Sequence, residues 1–370
     1  TGRAAPPMHA VNFLLHMLAC ALVFLVLRRK LSPVAATAGA LAFTVMPTKA
    51  EAVSALTGRS ELLTADLLLG AWLLLERPLT ARRFTAGAVL FCAALYVKEH
   101  ALLFPIFLAL SDWTFERALP WSRERRRVYM ALLALIVLYL TLRLRVLGIP
   151  FGGGVPYFAD RLTAALTVSR FTFTHYLWPS LTGQGLCPDF MRPLIADASV
   201  GAVTSWPPLL ALGALYAVAC AALIKRRAPW AFWLCAPSIF LLPTAHVLMP
   251  LDTIGAQRFL YLPSVGLAAG LGVLWARAHA IRPRTALIFG ALLLVWQAWA
   301  CASYTRSWRS GLAYYETVLS CNPVSARAHA AYGMELILAG RAPEGEAQLT
   351  EATRLTPGLA LPYYNLARYA

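Results

Sequence analysis

Residues 8–30 read MHAVNFLLHMLACALVFLVLRRK, an apolar run that ends in three basic residues. A run of about 20 apolar residues is long enough for one helix to cross a bilayer. Lys and Arg are retained on the cytoplasmic side of membrane proteins, so the basic end of this run is predicted to face the cytoplasm. The stretch therefore predicts a membrane helix that runs from outside to inside.

The same pattern repeats along the chain, with a basic cluster in every second connector between apolar runs. The predicted apolar segments are roughly 8–27, 33–47, 61–76, 84–97, 101–114, 128–146, 208–224, 230–249, 259–277 and 285–303. This order predicts that the polar loops and the C-terminal tail lie on the outer side. Several segments are short, and such segments are tolerated as broken or re-entrant helices only inside a protein bundle.

The composition supports a multi-pass membrane protein, because 59% of the residues are hydrophobic and 14% are charged. The net charge of +16 lies mostly in short loops beside apolar runs, where membrane topology explains it, so nucleic acid is not predicted as a partner. The preference for Arg over Lys and the abundance of Ala favour a bacterial source, hence an inner-membrane location. The predicted fold is all-α: a polytopic helix bundle followed by a helical repeat.

The seven cysteines form no CxxC pair, and most lie inside apolar segments. Neither a disulfide framework nor a zinc site is predicted from this spacing. Cys187 and Cys321 are expected to face the outer side and to be unpaired.

The outer stretch 147–207 is predicted to contain an interfacial helix. Leu162, Leu166 and Phe173 recur near helical spacing from residue 161 onward, which is typical of an amphipathic helix lying in the membrane interface. Pro179 is expected to end this helix.

After residue 304 the long apolar segments end and a repeating pattern begins. Asn322-Pro323 and Thr356-Pro357 recur 34 residues apart, with Gly and Ala where paired helices touch. That period is typical of tetratricopeptide repeats. We therefore predict a membrane domain over 1–303 and the start of a repeat domain over 304–370. Because the chain begins at Thr1 and ends in mid-repeat, we expect it to be a fragment of a longer protein.

Polar residues in the first helix and the first outer loop are candidates for a site. His9, Asn12 and His16 share one face of the first helix, and polar groups in a bilayer face a bundle interior or a cavity. Glu51, Arg59 and Glu61 are set in apolar sequence, where unpaired charges are costly. Each set also has a structural alternative. The polar residues of the first helix could make helix–helix hydrogen bonds, and those of the loop could be solvated, with Glu61 capping a helix.

Two further outer motifs could bind an anion. Lys98-Glu99-His100 stands between two apolar stretches, where the Lys could hold a phosphate and the alternative is a Lys–Glu pair closing a hairpin. Arg258 enters a helix from the outer side within QRFLYLP, with Tyr261 close by. It could clamp a phosphate or carboxylate, or it could snorkel to the interface.

Taken in order, these motifs resemble the transmembrane and tetratricopeptide-repeat O-mannosyltransferases of the GT-C glycosyltransferase superfamily. The resemblance rests on the following residues: His9-x-x-Asn12-x-x-x-His16, Pro47 with Glu51-Ala52-Val53, Gly58-Arg59-Ser60-Glu61, Lys98-Glu99 and Arg258-Phe259-Leu260-Tyr261-Leu262-Pro263. The chain departs from that family at Met46 and Lys49-Ala50, where the family often has His.

The resemblance implies the transfer of a sugar, which is mannose in the characterised relatives, from a polyprenyl-phosphate carrier to a hydroxyl of an exported protein.

 The acceptor would be a Ser or Thr hydroxyl. The family's general base lies in the first outer loop, which precedes the helix that carries His9 and Asn12. The resemblance therefore places the catalytic base before Thr1, outside this chain. Within the chain, Glu51 is the candidate. Lys98 would balance the phosphate charge, with Arg258 as a second candidate, and His9 and His16 would line the cavity. Members of the superfamily differ in whether they need a divalent metal, and no ligand cluster here decides that question.

Two other functions remain open at this point. A non-enzymatic membrane scaffold would use the repeats to recruit a protein partner and the bundle as an anchor. A transporter or lipid-linked polymerase would be expected to show inverted internal repeats, and the apolar segments show no convincing self-similarity.

Overall fold

A computed structural model of the chain describes residues 5–76, 78–116, 122–148, 158, 160–190, 200–246 and 254–369. Within these residues all regular structure is helical, which confirms the predicted all-α class. The α-helices are α1 Ala5–Lys30, α2 Pro33–Val45, α3 Ala50–Ser54, α4 Arg59–Leu75, α5 Ala81–Val97, α6 Phe104–Ser111, α7 Arg123–Leu147, α8 Arg161–Phe171, α9 Trp178–Thr182, α10 Trp206–Arg226, α11 Pro229–Ser238, α12 Ser264–Ile281, α13 Pro283–Thr305, α14 Gly311–Cys321, α15 Ala326–Leu338, α16 Ala342–Leu355 and α17 Ala360–Tyr369.

Five helical stretches among the described residues are long and apolar enough to cross a membrane. They are Pro7–Lys30, Arg125–Leu147, Val203–Arg226, Ser264–Ile281 and Pro283–Trp308. The chain is therefore a multi-pass membrane protein. The other predicted segments also contain helix, but they form shorter pieces.

The segment predicted at 101–114 shows how such a short piece arises. The chain forms a 3₁₀ turn at Glu99–Leu103, then α6, then a π-helical turn at Asp112–Glu116. Pro105 stands in the first turn of α6, where its missing N–H costs no helical hydrogen bond. The break was predicted from the length of the segment and places Asp112 inside the bundle.

The bundle has two ends that differ in charge. We call the end where α1 begins the site end; it also holds the start of α4, the end of α5 and the segment before α12. We call the opposite end, where α1 finishes in Arg28, Arg29 and Lys30, the basic end. The basic clusters at the end of α10 and the end of α12 also belong to the basic end.

Several cations at the basic end are paired with acids, which the sequence analysis had not predicted. Arg125 is fully buried and holds Asp112 through two bonds, from Nε to Oδ2 at 2.6 Å and from Nη2 to Oδ1 at 2.5 Å. Lys30 lies 2.9 Å from Glu76, and Arg29 lies 2.9 Å from the same carboxylate. These cations therefore join helices within the bundle.

Helices α2 and α12 approach each other closely through glycines. A Cβ on Gly272 would lie 2.2 Å from the Ala35 carbonyl oxygen, and a Cβ on Gly39 would lie 2.8 Å from the Ala268 carbonyl oxygen. Small residues at such crossings let two membrane helices pack backbone to backbone. This packing fixes α12, and hence the segment that precedes it, against the first hairpin.

The outer stretch contains a helix where an interfacial helix is predicted, and the helix continues past the predicted end. Helix α8 begins after Asp160, whose carboxylate accepts hydrogen bonds from the backbone N–H groups of Leu162 and Thr163. A π-helical stretch then joins it to α9, which ends at Gly183 with φ +71°. The expectation that Pro179 ends the helix was wrong, because this proline occupies the first turn of α9, where proline is tolerated.

Helices α14 to α17 form consecutive antiparallel pairs beyond the last membrane helix. A Cβ on Gly333 would lie 2.7 Å from the Gly345 carbonyl oxygen, and one on Gly345 would lie 2.6 Å from the Gly333 carbonyl oxygen. The two helices of this pair, α15 and α16, therefore touch at glycines. The arrangement is consistent with the predicted repeats.

A disulfide joins Cys187 to Cys321, with the two Cα atoms 6.2 Å apart. The expectation that these cysteines are unpaired was wrong. The two residues are 134 positions apart in sequence, so their spacing carried no signal of pairing. The bond links the segment after α9 to the last residue of α14, and the Tyr314 hydroxyl supports this link by donating to the Pro188 carbonyl oxygen at 3.3 Å.

Candidate active site

The polar face of α1 organises the loop that follows α2. Asn12 is fully buried, and its Nδ2 donates to the carbonyl oxygens of Val53 and Ala55, each at 3.1 Å. Arg59 Nε donates to Asn12 Oδ1 at 2.9 Å. A Cβ on Gly58 would lie 2.1 Å from the Ala52 carbonyl oxygen, so only glycine fits this fold of the loop.

His16 joins α1 to the segment before α12. Its Nε2 faces the Thr44 carbonyl oxygen at 3.3 Å, and a carbonyl can only accept, so Nε2 carries the proton. In the neutral ring Nδ1 is then the acceptor, and it receives the hydroxyl of Tyr261 at 2.7 Å. His9 lies half-buried near the start of α1 and has no hydrogen bond within the described part of the chain.

Two cation–carboxylate pairs lie at the site end. Lys98 pairs with Glu61, and their side chains are 20% and 3% exposed. Arg258 pairs with Glu51, and their side chains are 31% and 1% exposed. In both pairs the carboxylate is buried and the cation faces outward. The pairs therefore present two cations, and not two acids, to the surface of the site.

Phe259 brings the two cations together. The Lys98 ammonium lies 5.1 Å from the centre of the Phe259 ring, and the Arg258 guanidinium carbon lies 5.2 Å from it. Cations at this distance are attracted to an aromatic ring. One ring thus contacts both an ammonium and a guanidinium, although Lys98 and Arg258 are far apart in sequence.

Glu51 is held by Arg258 in two ways, which bears on its candidacy as a base. The Arg258 backbone N–H donates to Glu51 Oε2 at 3.0 Å, and the guanidinium binds Oε1. Burial raises the pKa of Glu51, and the charge of Arg258 opposes that shift. With both oxygens engaged and the side chain buried, Glu51 is arranged to hold Arg258 rather than to meet a substrate.

Lys49 supports the same segment, and the sequence analysis noted it only as a departure from the family pattern. It is buried, and its Nζ donates to the Tyr261 carbonyl oxygen at 3.1 Å, to the Leu260 carbonyl oxygen at 3.5 Å and to the Ser264 hydroxyl. Burial lowers the pKa of Lys49 from 10.5 to about 7. Lys49 thus fixes the backbone just after Arg258 and Phe259.

The cluster Lys98-Glu99-His100 is divided among three environments. Lys98 faces the site, whereas Glu99 pairs with Arg143 at 2.8 Å. His100 is buried against Phe240, with a ring-centroid distance of 6.1 Å, and its Nε2 has no hydrogen-bond partner within the described residues. Of the three, only Lys98 joins the cation pair.

An apolar cavity of about 830 Å³ runs beside α12. Near the site end it is lined by Tyr176, Ser180 and Leu260, and near the basic end by Trp230 and Arg277. Within the described residues no group of three His, Cys, Asp or Glu side chains lies close enough together to hold a metal ion.

Comparison with known proteins gives partial similarities. The chain is 26% identical over 190 residues to Protein O-mannosyl-transferase TMTC4 of Mus musculus, which covers 48% of this chain and 25% of that protein. It is 32% identical over 127 residues to Protein O-mannosyl-transferase Tmtc2 of Drosophila melanogaster, which covers 34% of this chain and 13% of that protein. The similarity is to membrane O-mannosyltransferases.

The chain spans a quarter or less of the length of each of these curated relatives. No family model matches the chain, and no solved structure matches it. The similarities agree with the family that the order of the motifs suggested, and they leave the donor and the sugar to be argued from the site.

Proposed function

We propose that this chain is the membrane part of a glycosyltransferase that moves a sugar, mannose by analogy with the relatives, from a polyprenyl-phosphate carrier to a hydroxyl of an exported protein. The names of the two relatives support the reaction class. The pair of cations at the site end supports the donor class, because the leaving group of such a donor is a phosphate.

The observation that carries the proposal is that the Lys98 ammonium and the Arg258 guanidinium both lie close to the Phe259 ring, at 5.1 and 5.2 Å from its centre. Each cation keeps one buried carboxylate partner and one exposed side. Lys binds phosphate as a compact charge, and the planar guanidinium of Arg offers several donors at once. Together they form a site for one phosphate group at the membrane surface.

The chemistry assigns a separate role to each participant. The acceptor oxygen forms a bond to the anomeric carbon of the sugar while the bond from that carbon to the phosphate oxygen breaks. Lys98 and Arg258 stabilise the charge that develops on the departing phosphate. The acceptor proton goes to a general base, and we assign that base to an acidic residue of an outer loop preceding α1, as the resemblance implies.

We further propose that the site end faces the outer side and that residues 304–370 begin a repeat domain that presents the acceptor protein. The Cys187–Cys321 disulfide supports this orientation, since structural disulfides persist in oxidising compartments outside the cytoplasm. Helices stacked in pairs form concave surfaces that suit protein binding. Residues 1–303 would then form the membrane domain.

The test is transfer of label from radiolabelled polyprenyl-phosphate-mannose to endogenous protein in membranes that contain the full-length protein. Lys98→Gln and Arg258→Gln are expected to reduce transfer about 100-fold or more, in line with the loss of an electrostatic contact to a transition state. Arg161→Gln is the matched control, because Arg161 is exposed on α8 away from the cation pair.

The outcome separates the alternatives. Transfer that falls in both site variants and stays normal in the control supports the proposal. Equal transfer in all four proteins would refute the phosphate site. No transfer by the wild-type protein, together with retained binding of an exported protein to residues 304–370, would favour the membrane-anchored scaffold.

A further inference from the structure

The cavity beside α12 has a charged end that the proposed reaction does not use. Arg277 lines the cavity near the basic end and is exposed. Within the described residues no carboxylate lies within ion-pair distance of Arg277. Some other cations at this end are engaged, as Lys30 is with Glu76 and Arg227 is with the ring of Trp113 at 3.9 Å, and neither Lys30 nor Arg227 lines the cavity.

The walls of the cavity are suited to a hydrocarbon chain. Leu is the most frequent residue in the lining, and α11 adds the side chains of Trp230 and Trp233. The lining extends along α12 from Ser264 to Arg277, which is about 20 Å at the helical rise of 1.5 Å per residue. A Cβ on Gly270, which lines the cavity midway, would meet nothing within 4 Å, so this stretch is open.

The placement of charge decides which way a lipid would lie. At the site end the cavity is lined by hydroxyl groups that are already bonded within the protein, since Ser180 contacts Thr48 at 3.2 Å and Ser264 donates to the Tyr261 carbonyl oxygen at 2.8 Å. At the basic end Arg277 is available, and the exposed Trp230 beside it suits the membrane interface. An anionic headgroup therefore fits the basic end.

We propose that this cavity binds an anionic phospholipid of the leaflet at the basic end, with its phosphate at Arg277 and an acyl chain along α12. Basic pockets between membrane helices on the cytoplasmic side bind anionic headgroups in this way. The polyprenyl-phosphate donor would need its phosphate at the opposite end of the bundle, beside Lys98 and Arg258. The site is thus distinct from the donor site and does not depend on the proposed reaction.

Native mass spectrometry of the full-length protein tests the proposal. The protein is purified in mild detergent and mixed with equal amounts of phosphatidylglycerol, phosphatidylcholine and undecaprenyl phosphate. The wild-type protein is expected to retain phosphatidylglycerol in preference to phosphatidylcholine. Arg277→Gln is expected to reduce that preference about fivefold, which is the effect of about 1 kcal/mol for one basic residue near a charged lipid.

A second variant tests the acyl-chain part of the site. Gly270→Leu places a side chain in open space within the cavity and is expected to lower retention of both phospholipids. The matched controls are Gly213→Leu, since a Cβ on Gly213 also meets nothing within 4 Å but that residue does not line the cavity, and Arg284→Gln, an exposed cation at the same end. Both controls should bind lipid as the wild-type protein does.

Two results would overturn the proposal. One is equal retention of phosphatidylglycerol by the wild-type protein, Arg277→Gln and Gly270→Leu. The other is competition between undecaprenyl phosphate and phosphatidylglycerol, together with loss of undecaprenyl phosphate binding in Gly270→Leu. That result would assign the cavity to the polyprenyl chain of the sugar donor.

Discussion

Replacing Lys49 with Met should change how the stability of the protein depends on pH. Lys49 is buried and bound only to uncharged acceptors, and burial lowers its pKa from 10.5 to about 7. Between these two pH values the unfolded chain carries the proton and the folded chain does not. Stability therefore rises with pH across this window, because the unfolded state binds more protons.

The magnitude follows from the size of the pKa shift. One pKa unit corresponds to about 1.4 kcal/mol, so the wild-type protein should gain about 2 kcal/mol in free energy of unfolding between pH 7 and pH 9 from Lys49 alone. Lys49→Met has no titrating group at this position and should lack that gain. Groups that do not interact with Lys49 titrate equally in both proteins, so their contribution cancels in the difference between them.

The assay is reversible unfolding in detergent micelles, followed by tryptophan fluorescence at pH 7, 8 and 9. Lys225→Met is the matched control, because Lys225 is exposed at the end of α10 and, among the described residues, makes no contact with the site end. If the free energies of unfolding of the wild-type protein and Lys49→Met change by the same amount from pH 7 to pH 9, Lys49 does not titrate as a buried group and the reasoning is wrong.

Three further predictions concern the framework of the site. Asn12→Ala should lower the free energy of unfolding by roughly 2–3 kcal/mol in detergent melting experiments, because it removes hydrogen bonds to buried partners; a loss below about 0.5 kcal/mol would contradict this. Peptide mapping without reductant should recover Cys187 and Cys321 in one linked peptide that separates on reduction, and recovery of both as free thiols would contradict the bond. Gly272→Ala should destabilise the protein by about 1–3 kcal/mol, whereas Gly270→Ala should be close to neutral; equal effects would show that α2 and α12 do not meet as described.

Sequence reasoning placed the candidate residues at one end of the bundle but did not predict how they pair. The alternating direction of successive apolar segments predicts that Lys98, Glu61 and Arg258 lie at one end, because connectors alternate between the two ends of a bundle. It did not reveal that Lys98 pairs with Glu61 instead of its neighbour Glu99. Lys98 has an extended backbone at the end of α5, with φ −158° and ψ 139°, so the direction of its side chain depends on that local break.

The missed features depend on contacts between distant parts of the chain. In the sequence Lys49 looks like an ordinary loop residue, because the carbonyl and hydroxyl groups to which it donates lie more than 200 positions later. The need for glycine at position 345 appears only when α15 and α16 pack, since a Cβ there would lie 2.5 Å from the Ile337 side chain. Periodicity predicts helices and their faces, whereas such pairings follow from tertiary packing.

We propose that Lys98 and Arg258 recognise the phosphate of a lipid carrier. The most direct measurement compares the binding of undecaprenyl phosphate and undecaprenol to the full-length protein in detergent, with wild type, Lys98→Gln, Arg258→Gln and Arg161→Gln. We predict that the wild type and Arg161→Gln bind the phosphate at least tenfold more tightly than the alcohol, which corresponds to about 1.4 kcal/mol, and that each site variant loses most of this preference. Equal preference in all four proteins would contradict the account.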